Sequence, residues 1–299
     1  MPALPRSPGA RRWAPYALLA PGLLWMALFF LLPLAALVRM SLSEQTQRFS
    51  LDAMFTGRVA NYTEVLVQYG PVLWRSLAFA GVATLLCGLI GYPMAYAISR
   101  QGGRWKPLLL GLVVVPFFTS YLVRTIAWTT LLADQGPVLA LLSWLGLVSP
   151  LERLGLVVEG RILNTAAAVI GGLTYNGLPF MVLPLVVSLE KIDPRLLEAA
   201  ADLHARGGRT FRRVIWPLSL PGLLAGVLLT FIPAAGDLVN AQYLGGPGNR
   251  MIGNSLQNLL LVQNRYPAAA ALGVVLMVML SLLLVLSLGK LDRDSLTGP

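Results

Sequence analysis

Apolar residues along this chain gather into long runs, and polar residues are confined to the stretches between them. Six runs, at about 14–38, 73–98, 107–128, 163–189, 215–235 and 267–288, each reach the roughly 20 residues a helix needs to cross a bilayer core. Hydrocarbon offers the backbone no partner, so a spanning segment must satisfy its own N–H and C=O groups as a helix. The pattern predicts an all-α polytopic membrane protein, with residues 1–299 forming one transmembrane domain of six helices. The first run is longer than the roughly 7–15 apolar residues of a signal peptide, so it is expected to stay as a helix anchored by Arg11 and Arg12. Gly81, Gly88 and Gly91 in the second run suit close helix packing. Pro116 falls in the middle of the third run, and a short interfacial helix is expected at Val138–Leu147.

One polar interruption differs from the others. Residues 190–222 read EKIDPRLLEAAADLHARGGRTFRRVIWPLSLPG, which is long and patterned for a mere connection. Asp193 suits a helix N-cap and Pro194 the first turn after it. Leu196, Leu197, Ala200 and Leu203 then recur at helical spacing, with Arg195, Glu198 and Asp202 elsewhere on the surface. Gly207 and Gly208 are expected to end that helix in a left-handed turn, and a second helix starts at Arg209. Pro217 and Pro221 then bend the chain into the fifth run. The expected product is a helical finger, apolar on one side and charged on the other.

Composition agrees with a membrane solvent. The chain is 56% hydrophobic and only 12% charged, against about 25% charged in soluble domains. Its single cysteine, Cys87, lies in an apolar run and reads as packing. An even number of spans puts both termini on one side. If that side is the cytoplasm, 14 of the 23 Lys and Arg lie there, on the shorter segments, and 9 lie outside. The positive-inside rule therefore predicts cytoplasmic termini and a cytoplasmic finger. The formal charge of +10 then suits lipid headgroups and a cytoplasmic partner better than nucleic acid.

No catalytic constellation is visible. The chain has no G-x-x-x-x-G-K-[ST] phosphate loop, no H-E-x-x-H and no G-x-S-x-G. Its one histidine, His204, makes neither a metal site nor a pH switch by itself. Polar residues near the spans are the better leads. A carboxylate inside a bilayer costs roughly 2.5–3.5 kcal/mol on insertion scales, so Asp237, at the end of the fifth run, reads either as a cavity-lining charge or as a solvated loop residue. Tyr175 and Asn176 in the fourth run fit a pathway or an interhelical hydrogen bond. Trp128 fits an interface anchor and Asp134 a turn, with a pathway role as the alternative for each. An ion-coupled secondary transporter would need more intramembrane charge or an inverted repeat, and neither is evident.

Glu198-Ala199-Ala200, then Phe211, Val214, Pro217, Pro221 and Gly222, resemble the EAA loop of ABC-importer permeases. That motif places a glycine four residues after the second alanine and an I-x-L-P segment ten residues beyond it. Here His204 stands at the glycine, Val214 and Trp216 at the isoleucine and leucine, and Pro217 is in register. The resemblance implies a type I importer permease fold and an ATPase-coupling role for Glu198, Ala199, Ala200, Asp202, His204, Ala205, Arg206 and Gly207. Phe231-Ile232-Pro233, Gly236-Asp237, Leu244-Gly245-Gly246, Met251-Ile252-Gly253-Asn254 and Gln257 are similar to the matching region of spermidine/putrescine permeases. That resemblance implies a bacterial inner-membrane subunit with a second homologous permease, two ATP-binding cassette ATPase subunits and a solute-binding protein as partners. It also implies that ATP and Mg2+ are held by the ATPases, with no cofactor on this chain.

Overall fold

The computed structural model describes residues 10–45, 53–205 and 207–296, so Arg206 of the finger, and Arg6 and Arg48 among the 23 Lys and Arg counted above, lie outside the described residues. Among the described residues, five helices are long and apolar enough to cross a membrane, and six crossings result if one sharply bent pair counts as a span. The chain falls into two compact units, residues 1–67 with 259–275 and residues 68–258 with 276–299.

The first unit holds α1 (Leu18–Ser41), whose apolar side chains are exposed, and a hairpin of β1 (Ser43–Gln45) and β2 (Ala53–Phe55). The strands pair antiparallel, Ser43 opposite Phe55 and Gln45 opposite Ala53. Buried Asn61 donates to the carbonyls of Ser41 and Ser43, both at 2.9 Å. Arg58 bridges Glu44 and Glu64, each at 2.8 Å. Asn61 and Glu64 belong to α2 (Ala60–Gln101), which starts inside a stretch that the sequence pattern assigns to a polar loop at 39–71. The amide and carboxylate that make 60–64 look loop-like are engaged, Asn61 by the carbonyls of Ser41 and Ser43 and Glu64 by Arg58, which leaves that turn free to be helical.

The second unit holds the rest of α2 and the long helices that follow it, except that the last long helix belongs to the first unit up to Val275. The expected third span is broken. α3 (Gly103–Phe118) and α4 (Tyr121–Leu131) meet at 95°. Pro116 removes a backbone donor and tightens Val115–Phe118 into a 3-10 turn, and Thr119 and Ser120 are extended, with ψ of 148° and 137°. α5 (Pro137–Trp144) forms where a short helix is expected and ends before Leu147, and α6 (Val148–Arg153) follows. α7 (Ala166–Glu190) starts with the Thr165 hydroxyl accepting from the Ala168 amide.

The finger helix α8 (Pro194–Asp202) leads into α9 (Gly207–Ala235). The second finger helix and the fifth span are thus one helix, where the sequence suggests two elements. A π-turn at Phe211–Ile215 accommodates Pro217, whose missing N–H strands a carbonyl of the turn before it. The short helices α10 (Val239–Tyr243) and α11 (Ile252–Gln257) precede α12, whose span is Tyr266–Ser287.

α7 and α9 pack most closely. A side-chain carbon at Gly226 would lie 2.8 Å from the Met181 sulfur, and one at Gly177 would lie 2.7 Å from Thr230, so only glycine permits this approach. In α2 the same argument holds at Gly91, against Met181, and fails at Gly81, which faces open space. Cys87 is buried and its thiol donates to the Thr174 carbonyl, as a packing residue should.

Candidate functional site

Two features stand out in this frame, and each gathers residues from distant parts of the chain. The first is the finger. Its root is fixed. Arg100 donates to the last-turn carbonyl of Leu189 at 3.0 Å, and Lys106 pairs with Glu190 at 2.8 Å. Phe211 sets its ring edge-on to Tyr92 and Tyr96, and Ile192, Leu197 and Ile215 join the same buried cluster. Asp193 caps α8 as the sequence requires, accepting from the Arg195 amide at 2.9 Å.

The end of α8 departs from expectation. The left-handed residue is His204, at φ 55°, and Gly207 instead begins α9. The Ala205 amide bonds to the Ala200 carbonyl at 3.0 Å, and the His204 amide bonds to the Ala201 carbonyl at 2.9 Å. This pair of bonds is a Schellman motif, with His204 at the position that favours glycine. The turn has therefore not moved to Gly207 and Gly208. It stays where the resemblance places a glycine, and histidine occupies it, one of the larger side chains that tolerate this conformation.

The apolar residues of α8 divide between two faces. Leu197 and Ala200 turn inward, whereas Leu196 and Leu203 are 47% and 81% exposed. Leu196, Ala199 and Leu203, at i, i+3 and i+7, form an outward apolar stripe beside exposed Glu198 and Asp202. Glu198 makes no hydrogen bond or ion pair among the described residues, and Arg206 lies outside them.

The second feature is a buried polar cluster at the far end of α9. Asp237 is 8% exposed and fully engaged. One oxygen accepts from the Asn240 amide at 2.8 Å and the Ala241 amide at 3.4 Å, capping α10. The other accepts from the Tyr121 hydroxyl at 2.5 Å and from Asn240 Nδ2 at 3.4 Å. Burial pushes the Asp237 carboxyl up from its ordinary value, and the bonds from Tyr121, Asn240 and Ala241 pull against that shift. Asn240, fully buried, accepts on Oδ1 from Thr125 and Asn176, both at 3.3 Å. Tyr121, Asn176, Phe180, Thr230 and Asp237 help to line a cavity of about 320 Å3.

The solvated-loop reading of Asp237 is thereby corrected: its carboxylate is buried because four donors satisfy it. Asn176 joins the same network. Tyr175 and Trp128 instead face one another edge-on at 5.5 Å, and Asp134 forms an exposed ion pair with Arg161 at 3.2 Å. None of these three residues lines the cavity. Sequence reasoning missed Tyr121, Thr125 and Asn240. The spacing i, i+4 in Tyr121 and Thr125, and an asparagine three residues after Asp237, are the signals that mark them. Among the described residues no three His, Cys, Asp or Glu side chains stand close enough to hold a metal ion.

Comparison with known proteins matches residues 87–295 to the family of binding-protein-dependent transport system inner membrane components. The spermidine/putrescine transport system permease protein PotB of Haemophilus influenzae is 40% identical over 261 residues, covering 87% of this chain and 88% of its own. PotB of Escherichia coli is 38% identical over 263 residues, covering 87% and 92%. Among solved structures, a bacterial ABC transporter involved in the import of the acidic polysaccharide alginate superposes with a TM-score of 0.70 at 18% identity, covering 95% of this chain and 96% of its own. The MetNI methionine ABC transporter gives 0.56 at 19% identity, covering 78% and 96%. At these identities the structures speak for the fold.

Proposed function

The chain belongs to the binding-protein-dependent transport system inner membrane component family, and from that premise we propose that it is the permease subunit of an ATP-driven importer of spermidine or putrescine. The observation that carries the solute class is the resemblance to PotB at 40% identity over most of both chains. The buried carboxylate supports it. A polyamine is an elongated chain of ammonium groups, and a desolvated ammonium needs a negative charge or an aromatic face. The cavity beside Asp237 offers its carboxylate, the Asn176 amide and the rings of Tyr121 and Phe180. Trp128 and Tyr175 meet edge-on outside that cavity, and Asp134 pairs with Arg161, so the pathway runs by Asp237 and Asn176.

In this reading both termini and the finger are cytoplasmic, which the excess of Lys and Arg on those segments supports. The stripe of Leu196, Ala199 and Leu203 seats the finger on one of two ATP-binding cassette subunits, with Glu198 and Asp202 at its edge. Those subunits hold ATP and Mg2+, and this chain is not an enzyme. A second homologous permease completes the membrane unit, and a solute-binding protein delivers the polyamine to the outer face. Ion coupling within this chain is disfavoured, because Asp237 is the one buried acidic side chain among the described residues.

Two measurements test the reading. A cysteine at Leu203 should react with an impermeant thiol reagent from the cytoplasmic side only, and should cross-link to the ATPase. Labelling from outside would overturn the orientation. Calorimetric titration of the solute-binding protein from the same system should show spermidine or putrescine binding. An anionic ligand in their place would remove the polyamine and leave the permease class standing.

A further inference from the structure

α2 and α3 diverge from the turn that joins them and leave an apolar groove of about 380 Å3 over α7. Met94 and Ala97 form one wall, Leu109 and Leu112 the other, and Tyr175 and Leu178 the floor. Both helices also carry exposed apolar side chains, Leu85 and Leu89 on α2 and Leu108 and Val115 on α3. The groove thus opens from two membrane-spanning helices, where the surrounding solvent is lipid.

The loop that joins the two walls, between Ile98 and Leu109, is basic. Arg100, Arg104 and Lys106 sit there, and no Asp or Glu occurs between Glu64 and Asp134. Two of these cations are committed, Lys106 to Glu190 and Arg100 to the Leu189 carbonyl. Arg104 makes no ion pair among the described residues. Its guanidinium lies over the ring of Trp105 at 5.4 Å, and Trp105 is 56% exposed. Tryptophan and arginine at the end of a span are the residues of the headgroup level. An apolar slot whose lining residues Ala97 and Leu109 lie a few positions either side of this loop, with a cation free of an ion pair between them in the sequence, matches the two halves of one kind of molecule.

We propose that this groove binds an anionic phospholipid, with one acyl chain between α2 and α3 and the phosphate on Arg104. The lipid ties α3 to α2 just before the break at Pro116 and beside the Lys106–Glu190 pair at the root of the finger. The proposal needs no assumption about the transported solute.

The test is native mass spectrometry of the full-length chain in mild detergent, offered phosphatidylglycerol and phosphatidylcholine in equal amounts. Phosphatidylglycerol should be retained in excess. Arg104→Gln should cut that preference about five-fold, the usual worth of one basic residue beside an anionic membrane surface. Arg104→Lys should keep it. Ala97→Phe, at an exposed position that lines the groove, should lower retention of both lipids together. Glycerol 3-phosphate, a headgroup without acyl chains, should displace neither. An unchanged lipid ratio in Arg104→Gln would overturn the proposal. So would unchanged retention in Ala97→Phe, or displacement by glycerol 3-phosphate.

Discussion

Replacing His204 by glycine should tighten the elbow of the finger. His204 holds φ at 55°, and the left-handed region costs an L-residue about 1–2 kcal/mol. Glycine escapes that cost and gives back about 0.5–1 kcal/mol in backbone entropy. The net gain is about 0.5–1 kcal/mol, or about two- to five-fold in the local opening equilibrium. The bond that reports it runs from the Ala205 amide to the Ala200 carbonyl, at 3.0 Å. Hydrogen exchange at that amide, corrected for intrinsic rates, should slow by this factor in His204→Gly. It should accelerate in His204→Val, because a branched side chain tolerates positive φ least. Association with the ATPase and transport should survive His204→Gly. Equal exchange in all three proteins would refute the claim that the left-handed turn, and not the side chain of His204, is what this position contributes.

Leu203→Asp, at an 81% exposed tip position, should leave the protein inserted and folded and weaken co-purification of the ATPase at least about ten-fold, since it puts a charge into an apolar contact. Asp237→Asn keeps the size and removes the charge. Uptake should fall about ten-fold or more while ATPase association, measured by pull-down, is unchanged. Tyr121→Phe removes one donor from the same carboxylate and should lower thermal stability by about 1–3 kcal/mol in a melting assay. Gly226→Leu drives a side chain into Met181 and should cost about 1–3 kcal/mol or prevent assembly, seen as loss of the monodisperse peak on gel filtration. Lys106→Gln breaks a pair that is about one-third exposed on each side, so its stability cost in the same melt should stay below about 1 kcal/mol.

The apolar runs announced the helices because a bilayer demands about 20 apolar residues and a self-satisfied backbone. They did not announce where the helices begin. α2 can start at Ala60 because Asn61 is engaged by the Ser41 and Ser43 carbonyls and Glu64 by Arg58, and hydropathy is blind to a polar residue with a committed partner. Pro116 was visible, but the 95° break also needed the extended Thr119 and Ser120, which carry no strong signal of their own. In the finger, Asp193 was legible because a cap is a local event, one side chain and one amide two residues on. The turn at His204 was misread for the opposite reason. Two glycines nearby were the better local candidates, and the chain used the register set by Ala200 and Ala201 instead. Asp237 stood out in sequence as a charge at a span end. Tyr121, Thr125 and Asn240, which make its burial affordable, come from α4 and α10, and only the fold brings them to it.

The central claim is ATP-driven polyamine import, and proteoliposomes test it directly. They would hold this chain, its partner permease and the ATPase, with the solute-binding protein added outside. Labelled spermidine or putrescine should accumulate only when ATP is enclosed and the binding protein is present. Accumulation by this chain alone, driven by an ion gradient without ATP, would contradict the account.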